Sequence, residues 1–266
     1  MSELERDLPK LAGGTAAISE TTRLAVVGRG RMGGALARAA RAAGLRVVST
    51  GRGGVAEASA GADAVLLCVP DASIAEACES VVHAAPLPRR VGHVSGATPL
   101  TALSAAAAAG IETFSLHPLQ TVPDEGADLT GSPCAVAGSA EATASWAGEL
   151  AETLGMRPFS IPEEQRAAYH AAASIASNFL VALEEAAARL LESTGVEDGR
   201  ELLVPLVLRT AANWAESGAE ALTGPIARGD EATIARHLDA LGESAPELMA
   251  LYGALAEHAR VVGGRA

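Results

Sequence analysis

The sequence predicts an α/β fold in two parts: a mainly parallel sheet with helices on both faces, followed by an all-helical C-terminal domain. Strand and helix signals alternate over residues 23–160, and such alternation is typical of parallel strands joined by helices. Beyond residue 160 the strand signals stop and alanine-rich helical runs follow. We therefore expect a flexible lead over residues 1–22, a sheet domain over 23–160 and a helical domain over 161–262.

The strands are predicted from short apolar runs between turn-forming residues, and the helices from longer runs with helical periodicity. Strands are expected near residues 24–27, 45–49, 63–69, 90–94, 112–116, 133–137 and 156–160. Helices of the sheet domain are expected near residues 32–43, 72–82, 99–109 and 140–154. The helical domain should contain a long helix from about residue 161 to 193, then helices near 198–217, 230–240 and 244–262, with a turn-rich break at 222–230.

The most informative motif follows the first strand, where Gly28, Gly30 and Gly33 form the pattern G-x-G-x-x-G between a strand and a helix. In that context the first glycine allows a sharp turn, the second lets the backbone approach a pyrophosphate, and the third lets helix and strand pack closely. The motif predicts a Rossmann-type dinucleotide site formed by Gly28, Arg29, Gly30, Arg31, Met32 and Gly33, with phosphates facing the helix start. The alternative is a glycine-rich turn of another α/β protein with solvated arginines.

The residues after the second strand indicate which nucleotide binds. An NAD site usually carries Asp or Glu about 20 residues beyond the motif, where it bonds the ribose 2′-hydroxyl. Here the strand ends in Ser49, Thr50, Gly51 and Arg52, and residues 23–56 contain seven arginines but no acid. We expect Ser49, Thr50 and Arg52 to hold the 2′-phosphate of NADP (NADPH). Val69, Pro70 and Ser95, at the ends of later strands, are expected to line the cofactor cleft.

Composition and net charge limit the classes of partner that we expect the protein to bind. The net charge of −12 argues against nucleic acid, and no apolar run approaches the length of about 20 residues that spans a bilayer. The N-terminal residues lack the apolar stretch of a signal peptide, and the three cysteines are scattered, as in proteins of a reducing cytosol. No Cys or His pair has metal-ligand spacing. We expect a cytoplasmic protein that acts on a small anionic substrate without a metal.

Two segments carry candidate catalytic groups. His117 closes a predicted strand just before Pro118. At this place His117 could bind the substrate or transfer a proton, or it could have a structural, hydrogen-bonded role. Gln120 follows as a candidate for substrate binding. In the long helix, His170, Ser174 and Asn178 are spaced by four, so each is turned about 40° from the last and the three line one face among alanines. The alternative is a helix with a few polar residues at an interface.

These features together resemble the 6-phosphogluconate and β-hydroxyacid dehydrogenase superfamily. Within it, residues 23–262 are similar to a bacterial family of Rossmann-like proteins with a helical C-terminal domain of unknown function. The stretches that carry the resemblance are His117–Thr121, Tyr169–Ala172 with Ala176–Asn178, and Leu222–Pro225 with Arg228–Asp230. Some members of that family resemble alternative ketopantoate reductases, which implies reduction of ketopantoate to pantoate as an activity to test.

One departure from the superfamily limits the chemistry. β-Hydroxyacid dehydrogenases carry a catalytic lysine four residues before an asparagine on this helix, whereas here Ser174 precedes Asn178 and the only lysine of the chain is Lys10. A histidine, with an ordinary pKa of about 6.5, suits the proton donor's role. We therefore expect His170 to donate the proton with help from His117, and Asn178 to position the carbonyl.

The sequence predicts an NADPH-dependent reductase of a small keto acid. Arg228 would pair with the substrate carboxylate, or is a solvated loop arginine. The alternatives are reduction of an imine, as in pyrroline-5-carboxylate reductases, reduction of a deazaflavin, and a non-catalytic NADP(H)-binding regulator. A homodimer through the alanine-rich helical domain is expected, because small residues permit close helix packing.

Overall fold

The structure, a computed structural model, describes residues 18–264. The chain forms two compact units that divide between Ser174 and Ile175. Most of the predicted flexible lead, residues 1–17, lies outside the described residues, whereas Ile18 packs against the core of the first unit.

In the described part of the first unit, seven strands form one sheet in the order β2-β1-β3-β4-β5-β6-β7. The strands are β1 (Arg23–Val27), β2 (Arg46–Thr50), β3 (Ala64–Leu67), β4 (Arg90–His93), β5 (Glu112–Pro118), β6 (Pro133–Gly138) and β7 (Arg157–Ser160). All neighbouring pairs are parallel except β5 with β6, which are antiparallel. The predicted strands and the mainly parallel sheet are therefore confirmed. The chain order turns in both directions from β1, which places a cleft at the carboxyl end of that strand.

Helices cover both faces of this sheet. They are α1 (Arg31–Ala42), α2 (Val55–Ser59), α3 (Ile74–Val81), α4 (Ser104–Ala108) and α5 (Glu141–Thr153), with single 3-10 turns at Asp71–Ser73 and Leu100–Leu103. A further 3-10 turn (Glu163–Gln165) and α6 (Arg166–Ser174) follow β7 and meet the carboxyl edge of the sheet. Alternate residues of β1 point to opposite faces, so Leu24 and Val26 join one apolar core and Ala25 and Val27 join the other. The sequence did not predict α2, because this helix has only five residues and follows a left-handed glycine, Gly54.

The division between the units falls later than the predicted boundary near residue 160. Residues 161–174 belong to the first unit, because polar side chains of this segment bond to the sheet's carboxyl edge. Glu163 accepts a hydrogen bond from the Leu100 backbone, and Arg166 donates to Ser115. The long helix predicted to begin the second domain therefore begins in the first.

The second unit is helical in its described part, as predicted. It contains a π-helical segment (Ile175–Phe179), α7 (Leu180–Ser193), α8 (Gly199–Ser217), a 3-10 turn (Gly218–Ala221), α9 (Pro225–Arg228), α10 (Glu231–Ser244), a 3-10 turn (Pro246–Leu248) and α11 (Met249–Val262). Asp230 caps α10 by accepting from the Thr233 backbone. Across the described residues of the whole chain, no helix combines the length and the apolarity of a membrane span.

Candidate active site

The glycine-rich turn joins β1 to α1, and its three glycines have different surroundings. Gly28 has a φ of +113°, and a Cβ added there would lie 2.1 Å from the Cys68 carbonyl oxygen. A Cβ added at Gly33 would lie 2.0 Å from the Gly28 carbonyl oxygen, so helix and strand pack backbone to backbone. Gly30 is exposed and has nothing within 4 Å of the Cβ position. The turn therefore needs two glycines for its own packing and leaves open space over the third.

A cavity of about 450 Å³ lies beside this turn and along α1. Its lining residues are Gly28, Arg29, Gly33, Gly34, Ala37, Arg38, Arg41, Ser49, Glu125 and Gly126. Arg41 donates to the Ser49 hydroxyl over 3.1 Å, and Arg38 donates to the carbonyl oxygens of Gly126 and Ala127. Arg29 and Arg41 form no ion pair with any carboxylate of residues 18–264. Their charges are therefore available to an anionic group of a ligand.

Four further residues predicted to bind the cofactor do not line this cavity: Arg31, Met32, Thr50 and Arg52. Thr50 is buried, and its hydroxyl donates to the Gly53 carbonyl over 2.6 Å, so this side chain closes the turn after β2. Arg31 and Arg52 are exposed and do not line the cavity. The Met32 side chain packs against the core of the first unit, which leaves only its backbone to face the turn.

Further predicted residues follow the ends of β3, β4 and β5. Val69 is half-buried and Pro70 is exposed after β3. The Ser95 hydroxyl bonds to Thr98 and accepts from the Ala97 and Thr98 backbone N–H groups, so it forms the turn after β4. Gln120 is exposed and donates to the Asp128 carbonyl within its own loop.

A group of histidines lies at the carboxyl edge of the same sheet. His117, near the end of β5, meets α6, where its Nδ1 lies 2.6 Å from the Tyr169 hydroxyl oxygen. The His117 and His170 rings stand edge to face with centroids 5.8 Å apart. Gly96 fits between them, since a Cβ at that position would lie 2.7 Å from His170 Nδ1 and 2.8 Å from His117 Nε2. The structure thus brings together two of the predicted catalytic residues.

Burial and neighbouring charges keep His117 and His93 neutral at neutral pH. Burial lowers the pKa of His117 to about 4, and the nearby positive charges of His170 and Arg166 act in the same direction. Burial also lowers the pKa of His93 to about 4, with Arg166 contributing, and raises the pKa of Tyr169 to about 12. At neutral pH, Tyr169 therefore keeps its proton and can donate it to His117 Nδ1, which assigns the imidazole proton to Nε2.

One polar nitrogen of the group, His170 Nδ1, has no hydrogen-bond partner among the described residues, whereas His93 has the Pro99 backbone as a partner. His93 is fully buried, and its Nδ1 accepts from the Ser95 backbone over 3.3 Å. His170 Nδ1 is buried over Gly96. A buried nitrogen without a partner is rare in folded proteins and is typical of groups with a binding or catalytic role.

An ion pair between the buried Arg166 and the half-buried Glu163 lies near the histidines. Arg166 is 2 % exposed; its Nη2 lies 2.9 Å from Glu163 Oε2 and 2.7 Å from the Ser115 hydroxyl, to which it donates. Its Nη1 donates to the Ser95 carbonyl, and Glu163 Oε1 accepts from the Leu100 backbone over 2.7 Å. The pair therefore connects α6 with the turn after β4 and with β5.

The remaining predicted site residues lie at the end of α6 or in the second unit. Ser174 is half-buried at the last position of α6. Asn178 is exposed and lies in the π-helical segment of the second unit, whereas His170 and Ser174 lie in the regular helix α6 of the first. Arg228 is exposed at the end of α9. The roles assigned to Ser174, Asn178 and Arg228 stay predictions.

From the sequence, the segment His93–Ala97 is a candidate because it closes a strand, but no role is assigned there to His93, to Tyr169 or to the Arg166–Glu163 pair. His93 had a signal, because it ends the strand that pairs with β5, and parallel neighbours end at the same edge. Tyr169 is adjacent to His170 in a segment that the sequence had singled out. Arg166 and Glu163 carried no distinguishing pattern, since charged residues in the first turn of a helix are most often solvated.

Comparison with known proteins supports the fold. The model of a domain of unknown function (DUF2520) matches residues 132–259, just under half of the chain. No curated protein matches the sequence. The match agrees with the resemblance to proteins with a helical domain of unknown function and does not extend to ketopantoate reductases.

Several solved structures share the architecture over nearly the whole chain. A Bacteroides fragilis protein described as a "putative NADP oxidoreductase" is 24% identical with a TM-score of 0.76, covering 90% of this chain and 98% of its own. A Thermotoga maritima protein is 22% identical with a TM-score of 0.71, covering 91% and 98%. A reductive aminase from Aspergillus terreus, in complex with NADPH, is 20% identical with a TM-score of 0.64, covering 92% and 95%. At these identities the likeness shows the fold.

Proposed function

We propose that this chain is an NADP(H)-dependent oxidoreductase that reduces a C=O or C=N bond of a small anionic substrate. The observation that carries the proposal is the cavity at the glycine-rich turn, which arginines line and to which β2 contributes no acid. The descriptions of the Bacteroides and Aspergillus proteins name NADP and NADPH, which supports the same cofactor here. The bound cofactor supplies the hydride, and the protein supplies orientation and charge.

The residues present fit this cofactor. The open space over Gly30 leaves room for a pyrophosphate at the start of α1, where backbone N–H groups are free to donate. Arg29 and Arg41 would hold the 2′-phosphate by charge, and Ser49, which already accepts from Arg41, would donate its hydroxyl proton to it. A carboxylate at the end of β2, which would repel the 2′-phosphate, is absent from the sequence between residues 23 and 56.

We propose a small keto acid as the hydride acceptor, with ketopantoate as the first compound to test. The carbonyl carbon would gain the hydride, and its oxygen would gain a proton from the His170 imidazolium, which solvent then reprotonates. The neutral His117, with its proton on Nε2, would donate a hydrogen bond to the developing oxyanion. This division of roles rests on the two rings meeting edge to face over Gly96.

An imine is the second candidate, and one observation favours it. A protonated imine already carries its proton, so its reduction needs only the hydride and no strong acid from the protein. The site has no lysine, and its His117 is neutral. The Aspergillus reductive aminase, with a similar fold, is consistent with such chemistry.

The test is a binding measurement followed by a substrate panel. We expect NADPH to bind at least tenfold more tightly than NADH, and Arg41→Gln to remove that preference. Arg46→Gln is the matched control, because Arg46 is exposed at the amino end of β2, away from the cavity. Equal affinity for both nucleotides in the wild type would contradict the cofactor assignment.

The panel contains ketopantoate, other 2-keto acids, cyclic imines and a deazaflavin, each followed by oxidation of NADPH. Turnover of keto acids alone supports the first candidate, and turnover of imines alone supports the second. Turnover of the deazaflavin alone would contradict both. Tight binding of NADPH without any turnover would favour a non-catalytic regulator.

We propose further that the second unit forms a homodimer. Among its described residues, the buried apolar side chains are only Ala188, Ile234, Leu241, Ala245 and Ala256. Large apolar residues of α8 are exposed instead, including Leu206 at 63%, Leu208 at 65% and Trp214 at 67%. Exposed large apolar side chains in this number favour an interface, and a second copy of the same helices offers the matching surface. A monomer by light scattering at micromolar concentration would contradict this proposal.

A further inference from the structure

We propose that the Arg166–Glu163 ion pair is the positioning element of the histidine site. Through it, the first turn of α6 is fixed against the ends of β4 and β5, which sets where Tyr169 and His170 stand relative to His117. The role in catalysis rests on the proposed function, whereas the geometry does not.

The geometry consists of two parallel contacts between α6 and β5. Arg166 and Tyr169 are three residues apart, so they lie on the same face of the helix. Ser115 and His117 are two residues apart, so they lie on the same face of the strand. Arg166 bonds to Ser115 over 2.7 Å, and Tyr169 bonds to His117 over 2.6 Å. Loss of the first contact would therefore free the helix turn that makes the second.

The guanidinium is suited to this role because it donates in several directions from one rigid plane. Arg166 donates to the Ser115 hydroxyl, to the Ser95 carbonyl and to Glu163. Glu163 in turn accepts a hydrogen bond from the Leu100 backbone N–H. A lysine at this position would keep the positive charge but would lose the rigid plane of several donors. Arg166→Lys therefore separates the geometric contribution from the electrostatic one.

The charge of Arg166 acts on the histidines as well. The charged and titratable groups near His117 are His170, His93, Asp71, Tyr169 and Arg166 itself. Arg166, His170 and His93 disfavour the protonated form of His117, and Asp71 favours it. Removal of the guanidinium charge should therefore raise the pKa of His117.

A second ion pair with a buried arginine joins β4 to β5 and provides a matched control. Arg90 begins β4 and lies 2.7 Å from Glu112, which begins β5, and its guanidinium stacks on Trp146 at 4.5 Å. The exposed side-chain fractions are similar in both pairs, at 4% and 48% for Arg90 and Glu112 and 3% and 38% for Arg166 and Glu163. The control pair lies at the amino ends of the strands, whereas the histidines lie at the carboxyl ends.

The experiment compares Arg166→Lys, Arg166→Gln and Glu163→Gln with Arg90→Lys and Arg90→Gln in the full-length protein. Melting temperature, NADPH affinity, the histidine C2–H titration by NMR and, where a substrate is found, kcat and KM are measured. We expect both arginine series to lower the melting temperature. Only the Arg166 series should move the His117 titration, upwards by about one pKa unit in Arg166→Gln. Its kcat should fall at least tenfold in Arg166→Lys and Arg166→Gln, with NADPH affinity unchanged.

The proposal would be overturned if Arg166→Gln left the His117 titration unchanged and the Arg166 variants kept the wild-type kcat. It would also be overturned if Arg166 and Arg90 substitutions changed the His117 titration and kcat equally. If Arg166→Gln does not fold, Arg166→Lys and Glu163→Gln decide by kcat, because Arg166→Lys keeps the charge that acts on the His117 pKa. If the wild type turns over no substrate, the proposed function fails, and the titration alone still decides whether Arg166 controls the histidine group.

Discussion

The glycine-rich turn supports a prediction with two opposite outcomes from the same chemical change. Alanine adds one methyl group at Gly30 or at Gly33. At Gly30 the added Cβ has open space, and the backbone at φ −75° and ψ −178° suits any residue. At Gly33 it would lie 2.0 Å from the Gly28 carbonyl oxygen and 3.2 Å from the Cys68 Cβ. Gly30→Ala should therefore fold normally, whereas Gly33→Ala should force the turn apart.

The magnitudes follow from these contacts. In Gly30→Ala, the lower entropy of the unfolded chain stabilises by about 0.4 to 1 kcal/mol, and the poorer helix N-cap costs a similar amount, so the net change is near zero. In Gly33→Ala, a backbone oxygen must move by about 1 Å, and we expect a loss of about 3 kcal/mol, the upper range for overpacking. At roughly 2 to 4 °C per kcal/mol, this lowers the melting temperature by roughly 6 to 12 °C.

The affinity for NADPH, unlike the stability, should fall in Gly30→Ala. The methyl group of Gly30→Ala occupies the space over which a pyrophosphate approaches the backbone, so we expect at least a tenfold loss, equal to about 1.4 kcal/mol. Thermal unfolding followed by circular dichroism gives the stability, and NADPH fluorescence titration gives the affinity. Wild-type affinity in a folded Gly30→Ala variant would refute the nucleotide site, and a wild-type melting temperature in Gly33→Ala would refute the packing argument.

Three further outcomes are expected. His93 has a pKa of about 4 when folded, below its ordinary value of about 6.5, so unfolding takes up a proton at this residue; its contribution to stability should fall by roughly 3 kcal/mol as the pH drops from 6.5 to 4, with His117 acting in the same direction, and His93→Gln should melt with a weaker pH dependence, or the burial argument is wrong. Tyr169→Phe removes the 2.6 Å bond to His117 and should cost about 1 kcal/mol in melting experiments while lowering kcat with unchanged NADPH affinity; unchanged kcat would exclude Tyr169 from the site. Leu206→Glu, at a position that is 63% exposed, should shift the light-scattering mass from dimer to monomer, and an unchanged dimer would place the interface elsewhere.

Much of the first unit could be predicted because its signals are local. A buried parallel strand is a short apolar run, and a tight turn before a helix needs glycines at fixed spacing, so β1 and its turn are readable from residues 24–33. The helix α2 was missed because five residues carry too little periodicity. The boundary near residue 160 differed from the observed division because the contacts that hold residues 161–174 on the first unit are side-chain bonds to distant residues.

The sequence by itself determined the order of strands and helices, the glycine turn, the arginine-rich segment around it and the lack of a lysine four residues before Asn178. Each of these depends on residue identity and on short spacing along the chain. The tertiary structure decided that His117 and His170 meet over Gly96, that Tyr169 bonds to His117, and that a buried ion pair connects α6 with β5. These contacts join residues more than 50 positions apart, and their distances and pKa shifts depend on burial, which exists only after the sheet and helix have packed.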